Sequence, residues 1–311
     1  MRIIHDCSKF YIEERTAVAI GKFDGIHVGH QKLLRKIIEK KQDGLAACVF
    51  TFDPPPDVLF GKRTGKELTT REEKRILFER IGVDILIEFP LNKDTAAMLP
   101  EDFVKCILTE QMKAGYIVAG TDISFGKNGE GRSGLLVEMQ GKCGFEVEII
   151  DKVLKDDREI SSTYVREAVA TGDMELAKEL LGEPFTIYGE VLHGNKLGRT
   201  LGMPTINQLP PENKLLPPFG VYYSEVEIEG NVYKGITNIG LKPTVNKGEG
   251  VGVETFIYNF NQEVYGDMVT VKLFHYKRPE QKFGSVEELK TQIKTDVEDG
   301  LLLWKINRYL P

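Results

Sequence analysis

Residues 16–41 read TAVAIGKFDGIHVGHQKLLRKIIEKK, and the order of features in this stretch predicts the fold of the first half of the chain. A short apolar run leads through a glycine-rich turn into a segment with helical hydrophobic spacing. Strand, short loop and helix in this order form the repeating unit of a parallel sheet. The turn also carries His27 and His30, two of only five histidines in the chain.

The same alternation continues to about residue 182, so we expect a parallel sheet with helices on both faces. Further strands are predicted at 46–52, 83–89 and 116–120, and further helices at 69–82, closed by Gly82, and at 100–115. In such sheets ligands bind at the carboxyl ends of the strands. The loop that holds the two histidines lies at one of these ends.

Beyond residue 183 the pattern changes to short strands rich in valine and aromatic residues. Four of them are predicted, at 221–228, 232–239, 253–260 and 268–274. Gly230-Asn231 suits the positive φ of a tight hairpin turn, and residues 285–310 have a helical pattern. We therefore predict an α/β protein in two modules: a parallel-sheet module over 1–183, then a small all-β barrel over 184–311 with C-terminal helices.

Composition limits the classes of protein that this chain can belong to. Its 311 residues carry a net charge of −6, which lacks the basic footprint of a nucleic-acid-binding protein. The four cysteines are scattered without metal-site spacing, and no apolar run approaches the ~20 residues of a membrane span. The N-terminus has charges where a signal peptide needs an apolar core. We expect a cytoplasmic protein without nucleic-acid or membrane partners.

His27 and His30 are spaced to share one face of the first helical turn. A helix N-terminus offers unpaired N–H groups and partial positive charge, so two imidazoles there could hydrogen-bond the oxygens of a phosphate. The alternative is a glycine-rich turn with two surface histidines, and the spacing alone favours that alternative.

A second glycine pattern, GEGRSG at residues 129–134, matches Gly-x-Gly-x-x-Gly. A dinucleotide-binding fingerprint should follow its strand at once, but these glycines come eight residues after the predicted strand at 116–120. A loop at the carboxyl edge of the sheet is therefore the better interpretation.

The motifs GKFDGIHVGHQKLL (21–34), TFDPPP (51–56), GTDISFGKNGEG (120–131) and ISSTYVREAVATGDMELAKELLG (160–182) follow one another in the first half. The second half continues with GNKLGRTLGMPTIN (194–207), LLPPFGVYY (215–223), NIGLKPT (238–244), VETFIYNF (253–260) and RPEQKF (278–283). In this order they resemble the prokaryotic bifunctional riboflavin kinase/FAD synthetases, whose first half carries the His-x-Gly-His signature of nucleotidyltransferases. The resemblance covers nearly the whole chain.

For the first module, the resemblance implies transfer of AMP from ATP to FMN, which forms FAD and releases pyrophosphate. His27 and His30 would stabilise the α-phosphate of ATP. The other nucleotide- or flavin-binding residues implied by the resemblance are Gly21, Phe23, Asp24, Gly29, Asp122, Phe125, Ser162, Thr163 and Arg166. The residues alone leave alternatives: Asp24-Gly25 as a plain turn, and the segment around Ser162 as a helix cap with a surface arginine.

For the second module, the resemblance implies phosphorylation of riboflavin to FMN by Mg-ATP. Glu254 would be the general base that takes the proton of the terminal ribityl hydroxyl. Thr205 and Asn207 offer hard oxygen ligands of the type that Mg²⁺ prefers. The remaining nucleotide- or flavin-binding residues implied by the resemblance are Gly194, Lys196, Gly198, Arg199 and Arg278, together with Thr205 and Asn207. From the residues alone, Glu254 is equally an exposed strand residue, and the segment around Thr205 a simple turn.

Several positions depart from the family pattern: Pro55 and Thr255 stand where histidine is frequent, Ile123 for an aromatic residue, Ile206 for alanine and Lys242 for arginine. Lysine lacks the bidentate fork of arginine, so a contact at residue 242 is geometrically weaker. Two alternatives follow, namely a chain that keeps one of the two activities, or a regulator that only binds flavin or nucleotide. Intact His27, His30, Thr205, Asn207 and Glu254 favour the enzyme, because binding alone needs no base.

Overall fold

The computed structural model describes residues 1–61, 65–194, 203–244 and 248–306. The chain divides into two compact units, Met1–Tyr164 and Val165–Pro311. This division falls about one helix pair earlier than the module boundary expected after residue 183. That boundary concerns function, and it stays a prediction.

The first unit is built on a sheet of six parallel strands in the order β1-β4-β3-β2-β5-β6. The strands are β1 (Arg2–His5), β2 (Thr16–Ile20), β3 (Ala46–Asp53), β4 (Ile85–Pro90), β5 (Ala114–Gly120) and β6 (Glu146–Ile150). A two-stranded hairpin follows, with β7 (Leu154–Lys155) and β8 (Arg158–Glu159). After β2 the chain builds outward through β3 and β4, and then returns to place β5 on the other side of β2. The strand order therefore reverses between β2 and β5.

Helices cover both faces of this sheet because successive side chains along each strand point alternately into two apolar cores, one on each face. The helices up to the sheet's last strand are α1 (Val28–Glu39), α2 (Pro56–Leu59), α3 (Arg71–Ile81), α4 (Lys93–Ala96), α5 (Pro100–Asp102), which continues as a π-helix over Phe103–Gln111, and α6 (Ser133–Cys143). Ala17 and Ala19 of β2 face the core that holds α1 and α3, whereas Val18 and Ile20 face the core that holds the π-helix and α6.

The sequence signals that end α3 act as predicted. The Thr70 hydroxyl and the Glu73 side chain form a capping box at its start, and Gly82 closes it in the left-handed conformation, with φ of 97°. The helix expected over 100–115 is shorter and mostly π-helical.

The second unit is a curled antiparallel sheet in the order β10-β13-β12-β11-β14-β9. Leu192, just beyond β9, pairs with Asn207 of β10, so the two edges of the sheet meet and close a small barrel. Trp304 of the last helix packs on Val221 and Tyr223 outside it. The elements are α7 (Ser162–Thr171), which begins in the first unit, α8 (Met174–Leu181), β9 (Phe185–Glu190), β10 (Thr205–Gln208), β11 (Gly220–Ile228), β12 (Asn231–Thr244), β13 (Gly248–Ile257), β14 (Met268–Pro279) and α9 (Val286–Ile306).

The predicted fold class is confirmed in both halves, and the corrections are local. The turn between β11 and β12 is formed by Glu229 and Gly230, with φ of 47° and 79°, while Asn231 already pairs with Ile228 in the strands. The glycine pattern at 129–134 is a loop only to Arg132, because α6 begins at Ser133. Within the described ranges, no helix is long and apolar enough to cross a membrane.

Candidate active sites

The two histidines lie at the point where the strand order of the parallel sheet reverses. Residues 21–27 leave the carboxyl end of β2, and residues 121–124 leave the carboxyl end of its neighbour β5. Open α/β sheets bind ligands in the crevice at this position. The fold thus brings the predicted phosphate-binding loop to the place where such sheets bind nucleotides.

His27 has two structural roles at the start of α1. It is the N-cap residue, and its Nδ1 accepts a hydrogen bond of 3.4 Å from the backbone N–H of His30. The two imidazole rings stack with centroids 3.8 Å apart, so both histidines act as one pair. Because Nδ1 of His27 is an acceptor, the proton of the neutral ring lies on Nε2, which is then a hydrogen-bond donor.

Both rings are neutral near pH 7. Burial lowers the pKa of His27 to about 4, although the carboxylates of Asp24 and Asp122 act in the opposite direction. Burial, and to a smaller degree the neighbouring His27, hold the pKa of His30 well below its ordinary value. Among the described residues, the buried Nδ1 of His30 has no hydrogen-bond partner. The pair can therefore donate N–H groups to an anion without carrying charge.

The loop before His27 has a strained backbone. Phe23 and Ile26 have φ of 50° and 45°, a conformation that bulky residues rarely adopt, and Gly25 between them has φ of 89°. Each such non-glycine residue costs on the order of 1–3 kcal/mol and persists only where its surroundings hold it.

Hydrogen bonds from distant parts of the first unit help to hold this loop. The Asp24 carboxylate accepts the N–H of Leu68 at 2.8 Å, and the N–H of Gly25 donates to the Thr69 hydroxyl at 3.0 Å. The Ser162 hydroxyl donates to the Asp24 carbonyl at 2.8 Å. Asp24 and Thr69 are each 5% exposed. Asp24 is thus a buried anchor of the loop.

The other predicted residues of this site lie on the same loops or on α7. A Cβ at Gly21 would approach the Phe23 ring to 3.2 Å, and one at Gly29 would lie 3.1 Å from the His27 ring. Asp122 is exposed and pairs with Lys152 at 3.3 Å. Phe125 is a core residue, with its ring against Phe103.

On α7, Ser161 rather than Ser162 provides the cap, since its Oγ accepts the N–H of Tyr164. Thr163 is exposed on the first turn, and Arg166 lies on the part of α7 that belongs to the second unit.

In the second unit, three polar residues stand in one row across neighbouring strands. Asn207 of β10 and Asn238 of β12 are both directly opposite Glu254 of β13. Directly opposed residues point to the same face of a sheet. Burial alternates along β13: Val253, Thr255 and Ile257 are buried, while Glu254, Phe256 and Tyr258 are partly exposed on the other face.

Thr205 and Glu254 are in direct contact. The Thr205 hydroxyl donates to Glu254 Oε1 at 2.7 Å and so fixes the carboxylate on the strand surface. Gly194 lies so close to Asn207 that a Cβ there would come within 2.5 Å of the amide nitrogen of Asn207. The structure therefore brings Gly194, Thr205, Asn207 and Glu254 together.

Arg278 is engaged with protein groups. Its guanidinium forms a forked ion pair with Asp296 of α9, at 2.7 Å between Nη2 and Oδ2, and Asp296 is 2% exposed. Its predicted role in ligand binding stays a prediction. Lys196, Gly198 and Arg199 lie outside the described residues.

The sequence analysis missed residues in both units that belong to these sites. Both Leu68 and Thr69 hold the loop of His27, although Thr69 was predicted only as the first residue of the helix over 69–82 and Leu68 was not singled out. Asn238 lies in a motif quoted for the family resemblance, but a strand pattern alone does not show which residue it opposes.

Comparison with known proteins gives two family matches and close relatives along the chain. A model described as FAD synthetase matches residues 10–164, and one described as riboflavin kinase matches residues 181–302. The bifunctional riboflavin kinase/FMN adenylyltransferase of Bacillus subtilis is 36% identical and covers 93% of this chain and 92% of its own length. The Haemophilus influenzae protein of the same name is 36% identical over 96% of both chains. A crystal structure of a protein named macrolide-efflux protein from Streptococcus pneumoniae is 32% identical, with a TM-score of 0.81, and covers 95% of this chain and 97% of its own.

Proposed function

The chain belongs to the family of bifunctional riboflavin kinase/FMN adenylyltransferases, and from this premise we propose how its residues divide the chemistry. The protein phosphorylates riboflavin to FMN and adenylylates FMN to FAD, with ATP as the donor in both reactions. In our proposal residues 1–183 carry the adenylyl transfer and residues 184–311 carry the kinase. The observation that carries this division is that each unit has its own constellation: stacked histidines in the first, and a carboxylate–hydroxyl pair in the second.

In the adenylyl transfer, a phosphate oxygen of FMN attacks the α-phosphorus of ATP, and the bond from that phosphorus to the β-phosphate oxygen breaks. Phosphate monoesters carry about −1.5 to −2 charge at pH 7, so the nucleophile needs no base. The protein's task is then to place the two anions and to stabilise the transition state. Neutral His27 and His30 at the start of α1 fit this task as N–H donors. Gly21 and Gly29 allow close approach, and Thr163 and Arg166 would bind phosphate oxygens. The Ser162 hydroxyl, whose proton goes to the Asp24 carbonyl, would contribute by holding the loop.

The kinase reaction differs because its nucleophile is a neutral hydroxyl. Glu254 takes the proton of the terminal ribityl hydroxyl while the oxygen bonds to the γ-phosphorus of ATP and ADP leaves. The hydrogen bond from Thr205 holds the carboxylate in place for this transfer.

Oxygen donors beside Glu254 fit a magnesium ion. Thr205 donates its proton to Glu254, so the lone pairs of its hydroxyl oxygen stay available for a cation, and the Asn207 amide supplies a second oxygen. Within the described ranges, no group of three or more His, Cys, Asp or Glu side chains could hold a metal, which suits an ion that takes most ligands from the nucleotide and water. When bound beside Thr205 and Asn207, Mg²⁺ would offset the negative charge of the nucleotide phosphates.

The place of these reactions is also part of the proposal. Four unpaired cysteines suit a reducing compartment, so we assign the protein to the cytoplasm. Its partners are then riboflavin, FMN and ATP, without nucleic acid or membrane.

Two variants test the division of labour. His30→Ala should lower FAD formation from supplied FMN by about 10²–10³-fold, the typical cost of losing one transition-state donor, while riboflavin is still phosphorylated. Glu254→Gln should lower FMN formation by about 10²–10⁴-fold and leave adenylylation of supplied FMN intact. His5→Ala and Glu190→Gln, at exposed positions, are the matched controls.

A mixture of the two variants should convert riboflavin to FAD, because FMN made by His30→Ala can diffuse to Glu254→Gln. A folded His30→Ala protein with normal FAD synthesis would contradict the histidine role. If the chain had only one of the two activities, the wild-type protein would fail to form either FMN from riboflavin or FAD from FMN. If it only bound flavin, the wild-type protein would form neither product.

A further inference from the structure

Asn238 is a polar side chain beside the proposed base that no step of the kinase reaction has used. It lies directly opposite Glu254 on the neighbouring strand, as Asn207 does on the other side. Side chains opposed in this way have Cβ atoms about 4.5–5.5 Å apart. A group that contacts Glu254 is therefore within reach of Asn238.

The orientation of the Asn238 amide is fixed by Glu280. Nδ2 of Asn238 donates to Glu280 Oε1 at 3.3 Å. An ionised carboxylate can only accept hydrogen bonds, so the amide nitrogen must face Glu280 and the carbonyl oxygen Oδ1 must face away from it. Oδ1 is thus presented as an acceptor beside the row of Asn207 and Glu254.

Glu280 is itself held in a defined place. Its carboxylate lies against Gly240, two residues from Asn238 on the same face of β12, where a Cβ would overlap it. Gly240 pairs with Gly252 of β13, so the next row on this face has no side chains of its own. The Glu280 carboxylate takes the space that these glycines leave, and so it lies beside Asn238.

We propose that Asn238 selects a vicinal polyol: Oδ1 accepts a hydrogen bond from the penultimate ribityl hydroxyl while Glu254 receives the proton of the terminal one. Two adjacent hydroxyls match two adjacent acceptors on neighbouring strands. Glu280 acts as a positioning residue, because it keeps Oδ1 rather than Nδ2 toward the substrate. This inference rests on the proposed kinase function.

The test compares riboflavin with an analogue that carries hydrogen in place of the penultimate hydroxyl. For riboflavin, Asn238→Ala should lower kcat/KM of FMN formation by about 10- to 100-fold, since a hydroxyl then loses its partner. For the analogue, the variant and the wild type should agree within about 2-fold, because neither can make the bond. Asn231→Ala, at the exposed first residue of β12, is the matched control, and FAD formation from supplied FMN reports that the protein is folded.

Glu280→Ala tests the positioning role separately, because it leaves the Asn238 amide able to turn either way. It should lower kcat/KM for riboflavin by less than Asn238→Ala does and leave the analogue within about 2-fold of the wild type. Combined with Asn238→Ala it should add no further loss, because Glu280 acts only through that amide. Equal losses on both substrates, or no loss on riboflavin, would overturn the inference while the kinase assignment stands. A wild type that makes no FMN would overturn both.

Discussion

The hydrogen bond from Gly25 to Thr69 links the loop before α3 to the strained loop before His27, and its removal should impair one of the two reactions only. Thr69→Val keeps the shape of the side chain but replaces the hydroxyl that accepts the Gly25 N–H at 3.0 Å. Both groups are buried, so water cannot take over the hydrogen bond.

The expected size follows from that burial. Leaving a buried donor unsatisfied costs about 1–3 kcal/mol. Phe23 and Ile26 already store strain in the same loop, so we expect the loss to appear as a smaller population of the loop that presents His27 and His30. If the whole cost falls on that population, FAD formation from FMN slows by about 5- to 150-fold.

The assay is the rate of FAD formation from supplied FMN and ATP, with riboflavin phosphorylation measured on the same sample. Thr69→Ser, which restores the acceptor, should recover most of the rate. Wild-type FAD synthesis by Thr69→Val would refute the reasoning. Equal loss of both activities would also refute it, because the effect would then be general unfolding.

Two further predictions concern stability. The pKa of His27 is about 4 in the folded protein and has its ordinary value of 6.5 in the unfolded chain, so between pH 4 and 6.5 the unfolded chain binds more protons. The contribution of His27 to the free energy of unfolding is therefore fully present above pH 6.5 and falls as the pH drops toward 4. Between pH 6.5 and pH 5, His27 should lower the free energy of unfolding by about 2 kcal/mol, and His27→Asn should not show this loss. Denaturation followed by circular dichroism measures the free energy of unfolding. Fluorescence of Trp304, the only tryptophan, reports the second unit separately. A fragment of residues 165–311 should unfold at a higher urea concentration than a fragment of residues 184–311, because only the longer one contains α8, which packs on β9 and β14. The buried residues of α8 are Met174, Ala177, Leu180 and Leu181. Equal urea midpoints would favour a structural boundary at residue 183.

The fold class could be predicted because its signals are local. Capping by Thr70, closure by Gly82 and period-two strands are visible in a few residues each. Six strands escaped prediction: β1, β6, β7, β8, β9 and β10. β1 and β6 are short with mixed residues, β7 and β8 have two residues each, β9 begins directly after Pro184 where the pattern changes, and β10 is four residues long between prolines. The position of the hairpin turn was shifted by one residue, because Glu229 adopts positive φ where asparagine would be the ordinary choice.

The site residues could be predicted only where chain neighbours carry the chemistry. His27 and His30 are three residues apart, and Thr205 and Asn207 are two apart, so motifs single them out as candidates. Residues that act from a distance leave no such pattern. Thr69 is 44 residues from Gly25, and Glu280 is 42 from Asn238, and in both pairs the structure alone shows the contact.

The double role of His27 limits how this position can change during evolution. Under the proposed adenylyl transfer, a substitution there loses both an N–H donor to phosphate and the cap of α1, whose removal typically costs ~1 kcal/mol. Asparagine would keep the cap without the imidazole, and a histidine protonated at Nδ1 would keep the imidazole without the cap. Each of these changes keeps one half of the double role, so position 27 should tolerate substitution poorly. His30 makes no cap, but its ring stacks on His27 and lies against Phe23, so a change there removes packing as well.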